Sequence, residues 1–122
     1  MLDAGICDTI KGMDGYLGIG ISKYTGELIL SHESDKSINL EETSIAFSDV
    51  FRTSHALSSK LSLGETEVME ITTGNSKILM ACSGEHSKLH VHIFAIFKKS
   101  GDVTLAKMLL PRVLRKAVVK LA

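Results

Sequence analysis

A chain of 122 residues with one proline, 44% hydrophobic and 23% charged side chains is sized for one domain with its own core, and this composition excludes disordered, collagen-like and low-complexity chains. Fourteen basic residues balance fourteen acidic ones, so no global field steers it toward nucleic acid or an anionic membrane. No apolar run approaches the ~20 residues that a membrane-spanning helix needs, which excludes insertion by that route.

Leu2, Ile6 and Ile10 recur at helical spacing up to Lys11, and Gly12 is placed as a cap, which predicts a first helix over Leu2 to Lys11. The opening Met1-Leu2-Asp3-Ala4 lacks the basic segment and apolar run of a signal peptide. Together with two cysteines, Cys7 and Cys82, set far apart in apolar stretches, this predicts a cytoplasmic protein with free buried thiols. Tyr16 to Ser22 and Glu27 to His32, joined by Lys23-Tyr24-Thr25-Gly26, read as two strands of a hairpin.

From Leu40 to Leu61 the pattern becomes helical, with Asn39 as N-cap and Glu41 and Glu42 placed well against the helix dipole. Two stripes run along this segment. Ala46, Val50, Leu57 and Leu61 form one, expected to cover the domain's own sheet. Phe47, Phe51, Ser54 and Ser58 form the second, whose two rings and two small serines suit close contact with another helix, most simply that of a second copy.

Glu65 to Thr73 alternates as a half-exposed strand, Gly74-Asn75-Ser76 turns the chain, and Lys77 to Ser83 completes a second hairpin. Leu89 to Phe97 is apolar on both alternating faces and is expected mid-sheet between helices. The last segment, Asp102 to Ala122, repeats apolar residues at helical spacing around Pro111. An interior proline costs about 3 kcal/mol, so this helix is expected to kink there or to start late. The order α-β-β-α-β-β-β-α predicts an α/β (α+β) domain over residues 1–122, with a five-stranded antiparallel sheet and helices on both faces.

That order, with the segments that fill it, resembles the roadblock family, named for the dynein light chain and found in bacteria and archaea beside small Ras-like GTPases. Three stretches carry the likeness: Met13 to Ser31, with its glycine before the strand, small residues within it and polar-Gly turn; the long helix with its doubled apolar face; and the hairpin Glu65 to Ser83 followed by the apolar strand. The sequence departs from the family at Lys99-Ser100-Gly101-Asp102 and at Pro111. The resemblance implies a profilin-like three-layer fold and a homodimer in which the long helix pairs with its twin while the neighbouring strand joins two sheets. On this chain that interface maps to Phe47, Phe51, Ser54, Ser58, Val68 and Ile71. It also implies a scaffold or regulator, of the type found in bacterial gliding motility, that binds a Ras-like GTPase as activating factor, exchange factor or platform.

The chemical motifs are sparse. Gly18-Ile19-Gly20 does not have the spacing of a phosphate loop, and glycines within a strand mark close approach, here expected from the first or last helix. His90 and His92 fall on one strand face and, with Cys82 or His86, have the residue types of a transition-metal site. Without a C-x-x-C pair, and with Glu85 the one acidic residue nearby, they read as polar residues at the solvent end of the strand, so no metal or other cofactor is expected. His32 and His55 read as isolated surface residues, Ser22 and Ser31 as strand-ending residues that suit turns, and Cys82 as a small core residue rather than a nucleophile.

No paired carboxylates stand in an apolar setting, so enzymatic activity is not expected. Lys107, Arg112, Arg115, Lys116 and Lys120 make the last helix basic, a solvated face or a contact for an acidic partner; no aromatics are interleaved with them, which disfavours nucleic acid. Arg52 on the long helix and Arg112, Arg115 and Lys116 on the last are the candidate partner surface, Arg52 having the reach of an arginine finger. A small-molecule sensor domain is the rival reading, and 5% aromatic content disfavours its pocket. A histidine-based metal-binding protein is the second rival.

Overall fold

The apolar run near the C-terminus forms the strand Val91–Lys98 (β5), and because it is buried along both faces it takes the middle of the sheet. Tyr16–Lys23 (β1), Leu28–Glu33 (β2), Val68–Thr72 (β3) and Ser76–Cys82 (β4) complete a five-stranded antiparallel sheet in the order β2-β1-β5-β4-β3. The structure is a computed structural model and describes residues 4–122. The helices are Asp8–Lys11 (α1), entered through the 3₁₀ turn Ala4–Cys7, Leu40–Lys60 (α2) and Thr104–Leu121 (α3). The expected first helix is thus shorter and partly 3₁₀, and its Leu2 lies outside the described residues.

Strand alternation separates two apolar layers. Val91, Ile93, Ala95 and Phe97 face one side, with Ile19, Ile21, Leu79, Ala81 and the inner face of α3 through Ala106, Leu110, Leu114 and Ala117. Phe94 and Ile96 face the other side, with Ile78, Met80, Leu40 and Phe51. The expected three layers, helix-sheet-helix, are the ones found.

Local chemistry fixes the element ends. Asn39 caps α2 by accepting the Glu42 amide at 3.0 Å. Just before α3 the Asp102 carboxylate accepts the Thr104 amide at 3.0 Å. The helix runs from Thr104 to Leu121 through Pro111, so it does not start late. Burial of Ala106, Leu110, Val113, Leu114 and Ala117 on both sides of the proline outweighs the single lost hydrogen bond.

The close approaches come from elements other than the first or last helix. A Cβ on Gly20 would meet the Phe94 ring at 2.5 Å, and one on Gly26, at φ +103°, would meet the α2 backbone at Ile45 at 2.8 Å. Glycine at position 20 leaves room for the Phe94 ring, and at position 26 it lets α2 settle onto the first hairpin.

Candidate functional site

The two stripes of α2 exchange the roles expected of them. Leu40, Ser44, Ser48 and Phe51 are its buried residues, and Phe47 packs half-buried in the same layer. The other stripe points out: Val50 is 44%, Leu57 54% and Leu61 65% exposed, with Leu63 beyond the helix at 75%. The reason is hydrogen bonding. Ser44 Oγ donates to the Gly26 carbonyl at 2.7 Å and Ser48 Oγ lies 3.1 Å from His92 Nδ1, so two serines bring the helix close to the sheet. Bulk apolarity alone ranks leucine above serine and mistakes the inner face.

The residues assigned to a self-interface therefore divide. Phe51, 1% exposed and tilted against His92 at 4.9 Å, belongs to this domain's own core, and Phe47 lines the same layer. Ser54 and Ser58 are bonded to Thr66, each at 3.1 Å. Val68 is 40% exposed and Ile71 half-buried on β3, which pairs only with β4 and leaves its other edge open among the described residues. Because Thr66 leads directly into β3, its bonds to Ser54 and Ser58 tie the last turns of α2 to the open edge.

Arg52 is engaged rather than free: its Nη1 donates to the Tyr24 carbonyl and its Nη2 pairs with Asp49 at 3.2 Å. It braces α2 against the first hairpin and is poorly placed to act as a finger. On α3, Lys107 is bound to Glu70 of β3 at 2.8 Å, while Arg112, Arg115 and Lys116 face solvent.

A second cluster stands where β4 and β5 end beneath α2. Cys82 and His92 are register partners across the two strands, and His90 Nε2 lies 3.1 Å from Cys82 Sγ. One ligand atom from each of Cys82, His90 and His92 can be chosen so that all lie within 4.8 Å of one another. His55, Glu65 and Glu85 form a second such group, with His55 Nε2 3.7 Å from Glu85. His92, expected at the solvent end of its strand, is 1% exposed. The short strand numbering hides this, because α2 covers that end of β5.

The neighbours correct three more expectations. Ser22 is fully buried inside β1 rather than at a strand end suited to a turn, and its Oγ has no hydrogen-bond partner among the described residues. His32 is half-buried, 2.7 Å from the Tyr16 hydroxyl. His55 is half-buried between Thr66 and Glu85. Cys82 is half-buried while Cys7 is the fully buried thiol; both are free.

Burial raises the Cys82 pKa, and desolvation lowers that of His90 and takes His92 down to about 4. A neutral thiol beside a neutral imidazole is the reverse of the thiolate-imidazolium pair that a nucleophilic cysteine needs. Signals for this cluster were present in the sequence as the His-x-His alternation and Cys82, but His55 and Glu65 come from segments that no spacing rule links to them.

No family model matches the sequence, and no curated protein matches it. Solved structures do. A roadblock/LC7 domain from Streptomyces avermitilis superposes with a TM-score of 0.82 at 8% identity, over 98% of this chain and 97% of that one. Myxococcus xanthus MglB gives 0.74 at 15% identity, over 96% and 89%. A structure of MglB in a tetrameric arrangement gives 0.71 at 12% identity, over 93% and 88%. The described residues have the roadblock fold.

Proposed function

We propose that this roadblock-fold chain is a dimeric, non-catalytic scaffold that binds and modulates a small Ras-like GTPase. The carrying observation is the exposed apolar row Val50, Leu57, Leu61 and Leu63 beside the unpaired edge of β3. An isolated domain rarely leaves such a row and an open strand edge side by side, since each is a template for association. A second copy related by a two-fold axis covers both at once: α2 pairs with its twin along this row, and β3 extends the sheet through Val68 and Ile71. The fold likeness to MglB, including one arrangement described as tetrameric, supports self-association, and the GTPase partner is what the resemblance to the roadblock family implies.

The interface so drawn replaces Phe47 and Phe51 by the outer row and keeps β3. In such a dimer the cations Arg112, Arg115 and Lys116 remain on the far layer, available to an acidic partner surface. Regulation would work by positioning the GTPase's own residues, because Arg52 is committed to Tyr24 and Asp49. The test is sedimentation at tens of micromolar, followed by GTP hydrolysis by a Ras-like GTPase from the same genome with and without this protein. A dimer that Val50→Asp plus Leu57→Asp converts to a folded monomer, with a changed hydrolysis rate in the wild type alone, is expected. A wild-type monomer, or a rate insensitive to the protein, overturns the reading.

A further inference from the structure

We propose that Cys82, His90 and His92 form a binding site for a single zinc-class divalent cation, with Glu65 completing its charge balance. The site lies wholly within one chain and is independent of the dimer and GTPase reading above.

The donor set is the first argument. One soft sulfur and two borderline imidazoles select zinc and its neighbours over magnesium or calcium, which want oxygen. The ligand atoms already stand within 4.8 Å of one another, and His90 Nε2 is 3.1 Å from Cys82 Sγ. With metal-sulfur bonds near 2.3 Å and metal-nitrogen bonds near 2.0–2.1 Å, rotamer shifts of roughly 1 Å close a tetrahedral set.

The surroundings are the second argument. His92 Nδ1 is engaged by Ser48 Oγ, which fixes the ring and leaves Nε2 to bind. The Tyr24 ring stacks on His90 at 4.8 Å and 9°, holding its plane. The Gly84 amide points at Cys82 Sγ at 3.3 Å, as a backbone donor does to a metal-bound thiolate. The Glu65 carboxylate is itself held by the Glu85 amide at 3.2 Å. On binding, Cys82 gives up its proton to solvent, and thiolate plus carboxylate neutralise the two positive charges.

The third argument is an unexplained group. Ser22 Oγ is fully buried, lacks a hydrogen-bond partner among the described residues, and sits opposite His92 in the β1–β5 register. A water on the bound cation supplies what it lacks.

The experiment loads the full chain, stripped by chelator, with Zn²⁺ or Co²⁺ alone. One equivalent retained through dialysis is expected. So are a thiolate-to-cobalt charge-transfer band and a tetrahedral d–d envelope. Cys82→Ser and His90→Ala should each weaken Zn²⁺ binding by at least about tenfold, while His86→Ala, at a 90% exposed side chain, leaves it unchanged. Should Cys82→Ser fail to fold, the wild type decides: Zn²⁺ must shift the ring C–H resonances of His90 and His92 and leave those of His32 in place. No retained metal, a cobalt spectrum without the sulfur band, or an affinity that Cys82→Ser does not change overturns the site.

Discussion

The two faces of this sheet are covered differently. Beneath α1 and α3 a larger buried apolar layer runs from Cys7 to Ala117, with Ile6, Met13, Leu30, Leu89, Leu109 and Val118 half-buried at its rim. Beneath α2 the buried apolar set is small, its rim of Leu17, Phe47, Met69 and Ile71 is only half-covered, and polar groups enter it through Ser44, Ser48 and His92. One face is finished by the chain itself. The other holds its helix with hydrogen bonds, carries the Cys82, His90 and His92 cluster at one end and leaves an apolar row facing outward. The larger apolar core and the outward apolar row lie on opposite sides of one sheet.

The largest expected effects test that division directly. Phe97→Ala under α3 and Phe51→Ala under α2 should each cost about 3–5 kcal/mol in urea unfolding, the first toward the upper end because its closed layer cannot admit solvent. Both losses should be independent of protein concentration. A Phe51→Ala loss that appears only where the protein associates would return this ring to an intermolecular contact.

Next come opposite pH responses. His92 has an ordinary pKa of 6.5 and is lowered to about 4 in the fold, so the neutral form is favoured when folded. Its contribution is present above pH 6.5 and fades as pH falls toward 4, by up to about 3 kcal/mol in metal-free protein. Cys7 is raised from 9.0 to about 11, again favouring the neutral form, so its contribution is present below pH 9.0 and fades as pH rises toward 11. Unfolding curves of His92→Gln should have a shallower acid slope, and those of Cys7→Ala a shallower alkaline one. An unchanged slope in either variant would break the assignment.

Smaller is Gly20→Ala, whose new methyl meets Phe94 and Leu28; a loss of about 1–3 kcal/mol is expected, read as a lowered midpoint with unchanged slope. Smallest for the folded monomer is the outer row. Leu57→Glu and Leu61→Glu should leave monomer stability within about 0.5 kcal/mol while abolishing association by light scattering. Strong destabilisation of the monomer would mean that this row serves the domain's own core.

Much of the fold was legible because it rests on periodicity. The hairpin of β1 and β2, the helix capped by Asn39 and the central place of β5 follow from alternation, turn glycines and capping chemistry, which act over a few residues. The resemblance carried by Met13 to Ser31 pointed to the roadblock fold, although identity to the solved structures is as low as 8%.

What only the tertiary structure decided is which face of α2 turns inward and what gathers beneath it. A helix can be rotated about its axis without changing its periodicity, so the choice between the stripe of Val50 and that of Phe51 depends on what the sheet offers. It offers the Gly26 carbonyl and the His92 imidazole, which Ser44 and Ser48 can reach and leucines cannot satisfy. The same rotation brings His55 toward Glu85, while the β4–β5 register sets Cys82 against His92, joining residues that are distant in sequence.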